Sequence, residues 1–231
     1  MSYLWQEFNI KTFPAETLVF RDGDFCPDLS EYESADFDPY KNLISIKKTS
    51  NLPVHIIYIG EITGNIDINI DINCENSRVF LTLKTINKKP AFLNIFIKNT
   101  GKKSFFEGKI IAKNTGVLKV NESAQHLSSN TGIFLKNRIV AYKGSTTELN
   151  GRAEISRGAI DCDSDISFSV LADKDAIVKL KPTQYINAAP KSASHSASLY
   201  KPTDNQITYL RNAGLSTTEI KHVLEDAFIE E

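Results

Sequence analysis

Between Asn65 and Cys74 the chain reads NIDINIDINC, with an isoleucine or cysteine at every second position and Asp or Asn between them. Successive side chains of an extended strand point to opposite faces, so Ile66, Ile68, Ile70, Ile72 and Cys74 share one face and the polar residues the other. A helix would scatter the same residues around its whole circumference. The stretch therefore predicts a strand with one buried and one wet face. Further strands are expected over 78–86, 91–98, 104–112, 116–121, 132–142, 147–156, 164–171 and 175–181. Most are separated by Asn, Gly and Lys, as in NKKP, KNTGKK, KNTG and SSNTG; Asn and Gly tolerate the left-handed backbone that tight turns require.

No helical periodicity competes with this pattern between residues 43 and 186, which narrows the fold to a sandwich, a barrel or a solenoid. Two features favour the solenoid. The turns lack the paired two-residue Asn-Gly loops of up-and-down hairpins, and Asn recurs at turn positions, as it would in a coil bending at equivalent corners.

The two ends read differently. Residues 1–42 form an opening segment with a short strand at 18–20, an Asp-Gly turn in RDGDF, and an acidic loop with a helical turn in DLSEYESADFDPY. Residues 43–186 are the β-domain. In the tail, 187–231, NAAPKSASHSASLYKP reads as a loop. Thr203 or Asp204 then caps a first helix that stops at Gly214, and Ser216 with Glu219 forms a capping box for a second. Ile220, Val223, Leu224 and Phe228 make an apolar stripe on that second helix, expected to cap the last coil on one side and meet a partner on the other.

Formal net charge is −1, but residues 1–80 hold 6 Lys/Arg against 13 Asp/Glu, residues 81–143 hold 12 against 2, and residues 144–231 hold 9 against 13. The basic middle reads first as solvated strand surface that discourages edge pairing. Three widely spaced cysteines, with no CxxC pair, do not make a secreted disulfide framework. The start has no basic segment followed by an apolar one, and no apolar run approaches the ~20 residues of a membrane span, so a cytoplasmic chain is expected. GxSxG, HExxH and Walker lysine motifs are all absent, which argues against an enzyme and against ATP binding by this chain.

The tail resembles the C-terminal signature of the SufB and SufD proteins. The matching residues are His195 and Ala197, then Asn205-Gln206-Ile207, Tyr209-Leu210-Arg211, Gly214-Leu215-Ser216, and Ala227-Phe228. ETLVFRDGDFCPDLS at 16–30 is similar to the segment that introduces the SufD β-domain. STTELNGRAEISRGAIDCDS at 145–164 and PTQYI at 182–186 resemble later family elements in the same order. The resemblance implies a right-handed parallel β-helix with a short C-terminal helical segment. It implies a scaffold in iron–sulfur cluster assembly that acts with a SufC-like ATPase and with a SufB-like subunit or a second copy of itself. Iron or a cluster would visit transiently, with no tightly bound cofactor. Where SufB proteins carry a cysteine before the Pro-x-x-x-Ile element, this chain has Asp173 and Asp175 in VLADKDAIVKLKP, so it looks more like SufD. Family members are usually longer.

Among single residues, His195 is the leading metal candidate, because the resemblance places it at the SufB–SufD contact and neutral imidazole suits borderline metals. Against this stands a histidine that merely packs in the contact. Cys162, beside acids and turn formers in AIDCDSD, is a minor metal candidate expected to be exposed. Cys74 is expected to be a buried small hydrophobe. Asp161, Asp163 and Asp165 lack the Gly and terminal Glu of an EF-hand and read as a solvated turn. Tyr209, Leu210, Leu215, Leu224 and Phe228 are the expected partner-binding residues. Two alternatives remain: a homodimeric SufB-like scaffold, and a solenoid that binds nucleic acid or glycan through the basic belt at 81–143.

Overall fold

A computed structural model of the 231-residue chain describes residues 16–22, 24–30, 35–40, 43–48 and 52–230. The strands, numbered in chain order, begin with β1 (Glu16–Arg21), β2 (Asp24–Phe25), β3 (Ala35–Tyr40), β4 (Leu43–Lys48) and β5 (Val54–Gly60). The repeating part continues with β6 (Gly64–Ile72), β7 (Arg78–Asn87), β8 (Ala91–Asn99), β9 (Phe105–Asn114) and β10 (Val117–His126). It ends with β11 (Gly132–Ala141), β12 (Thr146–Ile155), β13 (Asp163–Ala172), β14 (Ile177–Ile186) and β15 (Ser192–Tyr200). Two helices follow, α1 (Asp204–Asn212) and α2 (Thr217–Glu230).

From β4 onward the even strands stack in one sheet and the odd strands in the other, each pairing in parallel with the strand two places away. The chain thus winds as a parallel β-solenoid of six coils, from β4/β5 to β14/β15. The alternation read at Ile66–Ile72 holds throughout. Ile68, Ile95, Glu122, Gly151 and Pro182 fall in one row across the even sheet. Leu83, Ile110, Asn137, Phe168 and Ala197 fall in one row across the odd sheet. Most inward positions of the solenoid carry buried aliphatic side chains, each Ile or Leu contributing about 1.5–3 kcal/mol, while these two rows also include Glu122 and Asn137.

One corner shows why the coils stack in register. Asn76, Lys103, Asn130 and Asp161 each adopt left-handed backbone, with φ between 54° and 59°, just before a strand of the odd sheet. The next residue in each case, Ser77, Ser104, Thr131 or Cys162, is buried and bonds a carbonyl three residues back. Asn and Asp tolerate this conformation well, whereas Lys does not.

Three local expectations fail. Residues 192–200, read as loop, are β15, because pairing with β13 outweighs the poor strand preference of Ser and Ala. Residues 35–40, also read as loop, form β3, antiparallel to β4; the remainder of that acidic stretch at 31–34 and the Gly of the Asp-Gly turn lie outside the described residues. Cys74 falls past the end of β6, in the turn, and is only half-buried.

Candidate functional site

The two ends of the solenoid are unlike. At the start, β3 pairs antiparallel with all of β4, and the two-residue β2 pairs antiparallel with Phe20 and Arg21 at the end of β1. At the far end, β14 and β15 are the outermost strands of their sheets. The amide of Ser192 bonds the carbonyl of Cys162 in the corner before β13, at 3.2 Å. Backbone groups alternate sides along a strand, so those of Ala193, His195, Ala197 and Leu199 point outward. The same alternation, anchored by the Ile177 amide on Ser145 at 2.9 Å, turns Val178, Leu180, Pro182 and Gln184 of β14 toward the free edge. No described strand pairs with either edge.

The side chains tell the same story. His195 continues the inward row of Ile166, yet it is exposed, and Leu199 beside it is 53% exposed. Ile177, Tyr185 and Ile186 are also exposed on the last coil. Unpaired backbone beside apolar side chains can template pairing with further polypeptide. His195 is therefore held on a strand at this open end rather than in a loose loop. Among the described residues, no three His, Cys, Asp or Glu side chains gather as a metal site.

Cys162 is fully buried, not exposed. Its thiol lies 3.3 Å from Thr131 Oγ1 and 3.3 Å from the Ser128 carbonyl. It occupies the corner position that serine or threonine fills in earlier coils, and so acts as a corner fastening. Thr131 in turn meets His126 Nδ1 at 2.8 Å, and burial drives the His126 imidazole down to about 4, with Asp163 pulling the other way.

The helices form as their caps predict. Thr203 and Gln206 close a capping box on α1, and Ser216 and Glu219 do so on α2, where the serine bonds hold the Glu219 carboxyl below its ordinary range. Their placement differs from expectation. α2 lies along the outer flank of the odd sheet rather than over the open end. Arg138 donates to the Phe228 carbonyl at 2.6 Å, Tyr200 meets the Phe228 ring at 5.5 Å, and Lys221 pairs with Asp173 at 2.8 Å. Ile220 and Glu225 are buried; Leu224 and Phe228 are half-buried against the flank. Of the expected partner-binding residues, Tyr209 is 74% exposed, and Leu210 and Leu215 are half-buried. No helix among the described residues is long and apolar enough to cross a membrane.

A row of aromatic rings runs from the strands before the basic belt into it. His55, Phe80, Phe105 and Phe134 line up across the odd sheet with successive centroids 4.7, 5.9 and 5.2 Å apart. The His55 and Phe80 rings stack, whereas the two Phe–Phe pairs are tilted by 50° and 32°. On the opposite sheet, Asp67, Asn94, Asn121 and Asn150 form an outward ladder of side-chain bonds at 2.8–3.1 Å.

Sequence reasoning missed Glu122, Asn137 and His126, three buried polar side chains. The signal was present: in VLKVNESAQH, Glu122 and His126 occupy the same alternate positions as Leu118 and Val120.

Comparison with known proteins places these features in context. A protein-family model, SUF system FeS cluster assembly, SufBD core domain, matches residues 63–228. That span runs from the second coil through α2. An iron–sulfur cluster assembly SufBD family protein of Mycobacterium leprae (strain TN) is 27% identical over 107 residues, 46% of this chain. The match covers 12% of that relative's length.

Proposed function

We propose, from the premise that this chain belongs to the SufBD core-domain family of the SUF system, that it is a non-catalytic, SufD-like scaffold subunit in iron–sulfur cluster assembly. The open coil of β14 and β15 is the observation that carries this reading. Its unpaired edges and exposed Leu199, Ile177 and Ile186 suit a second solenoid of the same family, either a SufB-like subunit or another copy of this chain. His195, aimed inward at the mouth of that coil, would face the joint, where an imidazole can hold iron in passage as cargo. A SufC-like ATPase would supply the energy and meet the exposed side of α1 around Tyr209, in the cytoplasm.

The SufD-like assignment is supported at the β13–β14 corner. Asp173 stands there in place of a thiol, accepting from the Lys143 amide at 3.3 Å and from Lys221 at 2.8 Å. Such a residue fastens α2 rather than accepting sulfur.

The test is co-purification from the native cell combined with light scattering. Recovery of a SufC-type ATPase together with a SufB-like chain supports the reading, and recovery of the ATPase with a homodimer supports the SufB-like alternative. Leu199→Asp, which places a charge at the open coil, should abolish subunit pairing while leaving the monomer folded. A monomeric wild type that captures neither partner removes the proposal.

A further inference from the structure

Inside the fourth coil, formed by β10 and β11, a carboxyl and a carboxamide face each other across the core. Asn137 Nδ2 donates to Glu122 Oε2 at 2.9 Å, and both residues are at most 3% exposed. The other two oxygens, Glu122 Oε1 and Asn137 Oδ1, are buried with no partner. The arrangement contains two acceptors and is one donor short. An ionised carboxylate would leave both oxygens unmet in an apolar interior, a costly state. A proton on Oε1 supplies the missing donor, since a carboxylic acid and an amide can each give one hydrogen and take one.

The surroundings offer no competing charge. The inward residues beside Glu122 in its own sheet are Ile95 and Gly151, and those beside Asn137 are Ile110 and Phe168. None of these titrates. The nearest titratable inward side chain on the same strand is His126, which is engaged with Thr131. Arg152 and Lys181 belong to the outer face of the sheet, where they line a surface pocket that Glu122 and Gly151 also border. Gly151, beside Glu122, makes room for the Phe168 ring, because a Cβ added there would stand 2.6 Å from it.

We infer that Glu122 is carried as the neutral acid in the folded protein, closed with Asn137 into an acid–amide pair, and that losing this proton loosens the solenoid at its fourth coil. The fold thereby contains a pH-sensitive latch, one coil away from the two that lead to the open end. Burial pushes the Glu122 carboxyl up to about 7, against the opposing pull of the Asn137 bond, so the latch works close to neutrality. The inference concerns the core alone and does not depend on any partner.

Glu122→Gln tests it, because the amide is a permanent copy of the neutral acid. Between about pH 4.5 and about pH 7, where the unfolded chain has lost this proton and the folded chain still holds it, the denaturation midpoint of the wild type should fall relative to that of Glu122→Gln and then level off, whereas the variant's profile lacks this component. Parallel profiles for the two proteins overturn the inference. Infrared spectroscopy of the wild type gives a second readout that needs no variant. A protonated-carboxyl carbonyl band should persist in the folded protein near pH 6, where exposed carboxyls are ionised, and should vanish at alkaline pH. A folded wild type without that band overturns the inference even if Glu122→Gln fails to fold.

Discussion

Tyr142 donates its hydroxyl to Glu225 Oε2 across 2.7 Å, joining the end of β11 to the middle of α2. Lys113 reaches the same oxygen at 3.3 Å. Burial, followed by the bond to Glu225, raises the Tyr142 hydroxyl well above its ordinary range, so it remains a donor at any working pH. Glu225 is thus the hinge-pin of the helical tail.

Replacing that carboxylate should release the helix. Glu225→Ala leaves the Tyr142 hydroxyl without its acceptor and the Lys113 ammonium with only Asp226, at 3.8 Å, and should cost about 1–3 kcal/mol. Glu225→Gln keeps an acceptor for Tyr142 and should cost less. Limited proteolysis across residues 201–216, combined with denaturant melts, checks both; equal resistance in all three proteins would contradict the anchoring role.

Acid should weaken the corner at His126. Its folded value of about 4 lies below the ordinary 6.5, so the unfolded chain takes up a proton first as pH falls. Stability is therefore full above about pH 6.5 and declines toward pH 4, by about 3 kcal/mol at most. Asn99 occupies the same inward row one coil earlier. His126→Asn should accordingly flatten the acid limb of a stability–pH profile, and an unchanged limb would count against this source.

Two asparagine ladders should respond very differently. Asn114 accepts from Asn87 at 2.8 Å and donates to Thr147 at 2.8 Å inside the corner, and it also receives the Gly116 amide. Asn114→Leu strands several buried groups and should cost about 3 kcal/mol or more. Asn121→Ala breaks bonds of 2.9 and 3.1 Å on the wet face and should cost under about 1 kcal/mol. Urea midpoints of the two variants provide the comparison.

Lys103 occupies left-handed backbone, with φ 54°, where the neighbouring coils place Asn76 and Asn130. Lys103→Asn should relieve that strain and stabilise the protein by about 0.5–1 kcal/mol, read as a higher thermal midpoint.

The solenoid and the caps were legible because each rests on a local rule. Ile66 to Ile72 announce a strand by alternation, and Ser216 with Glu219 announces a helix start by a three-residue spacing. What escaped depends on neighbours distant in sequence. SASHSAS has little intrinsic strand preference, and only the exposed edge of β13 makes it β15. Cys162 looks wet beside its aspartates, yet the corner below fixes it inward against Thr131. The stripe of α2 reads correctly as apolar, but nothing in its spacing says that Arg138 and Tyr200 will receive Phe228 on the flank. Glu122 and Asn137 obey the alternation but break its chemistry, which marks the pair as built for something besides cohesion.

The unlike ends set a limit on growth. β3, outermost at the start, runs counter to its neighbour and carries Pro39, which has no amide hydrogen to offer an incoming strand. Among the described residues, both strands of the final coil, β14 and β15, present an uncovered edge, although Pro182 on the free side of β14 likewise has no amide hydrogen to offer. Rods sticky at both tips would add copies without limit and become fibres, whereas a rod with a single sticky tip is satisfied by one encounter. For the proposed scaffold, this difference between the two tips favours a closed pair over an open chain of copies.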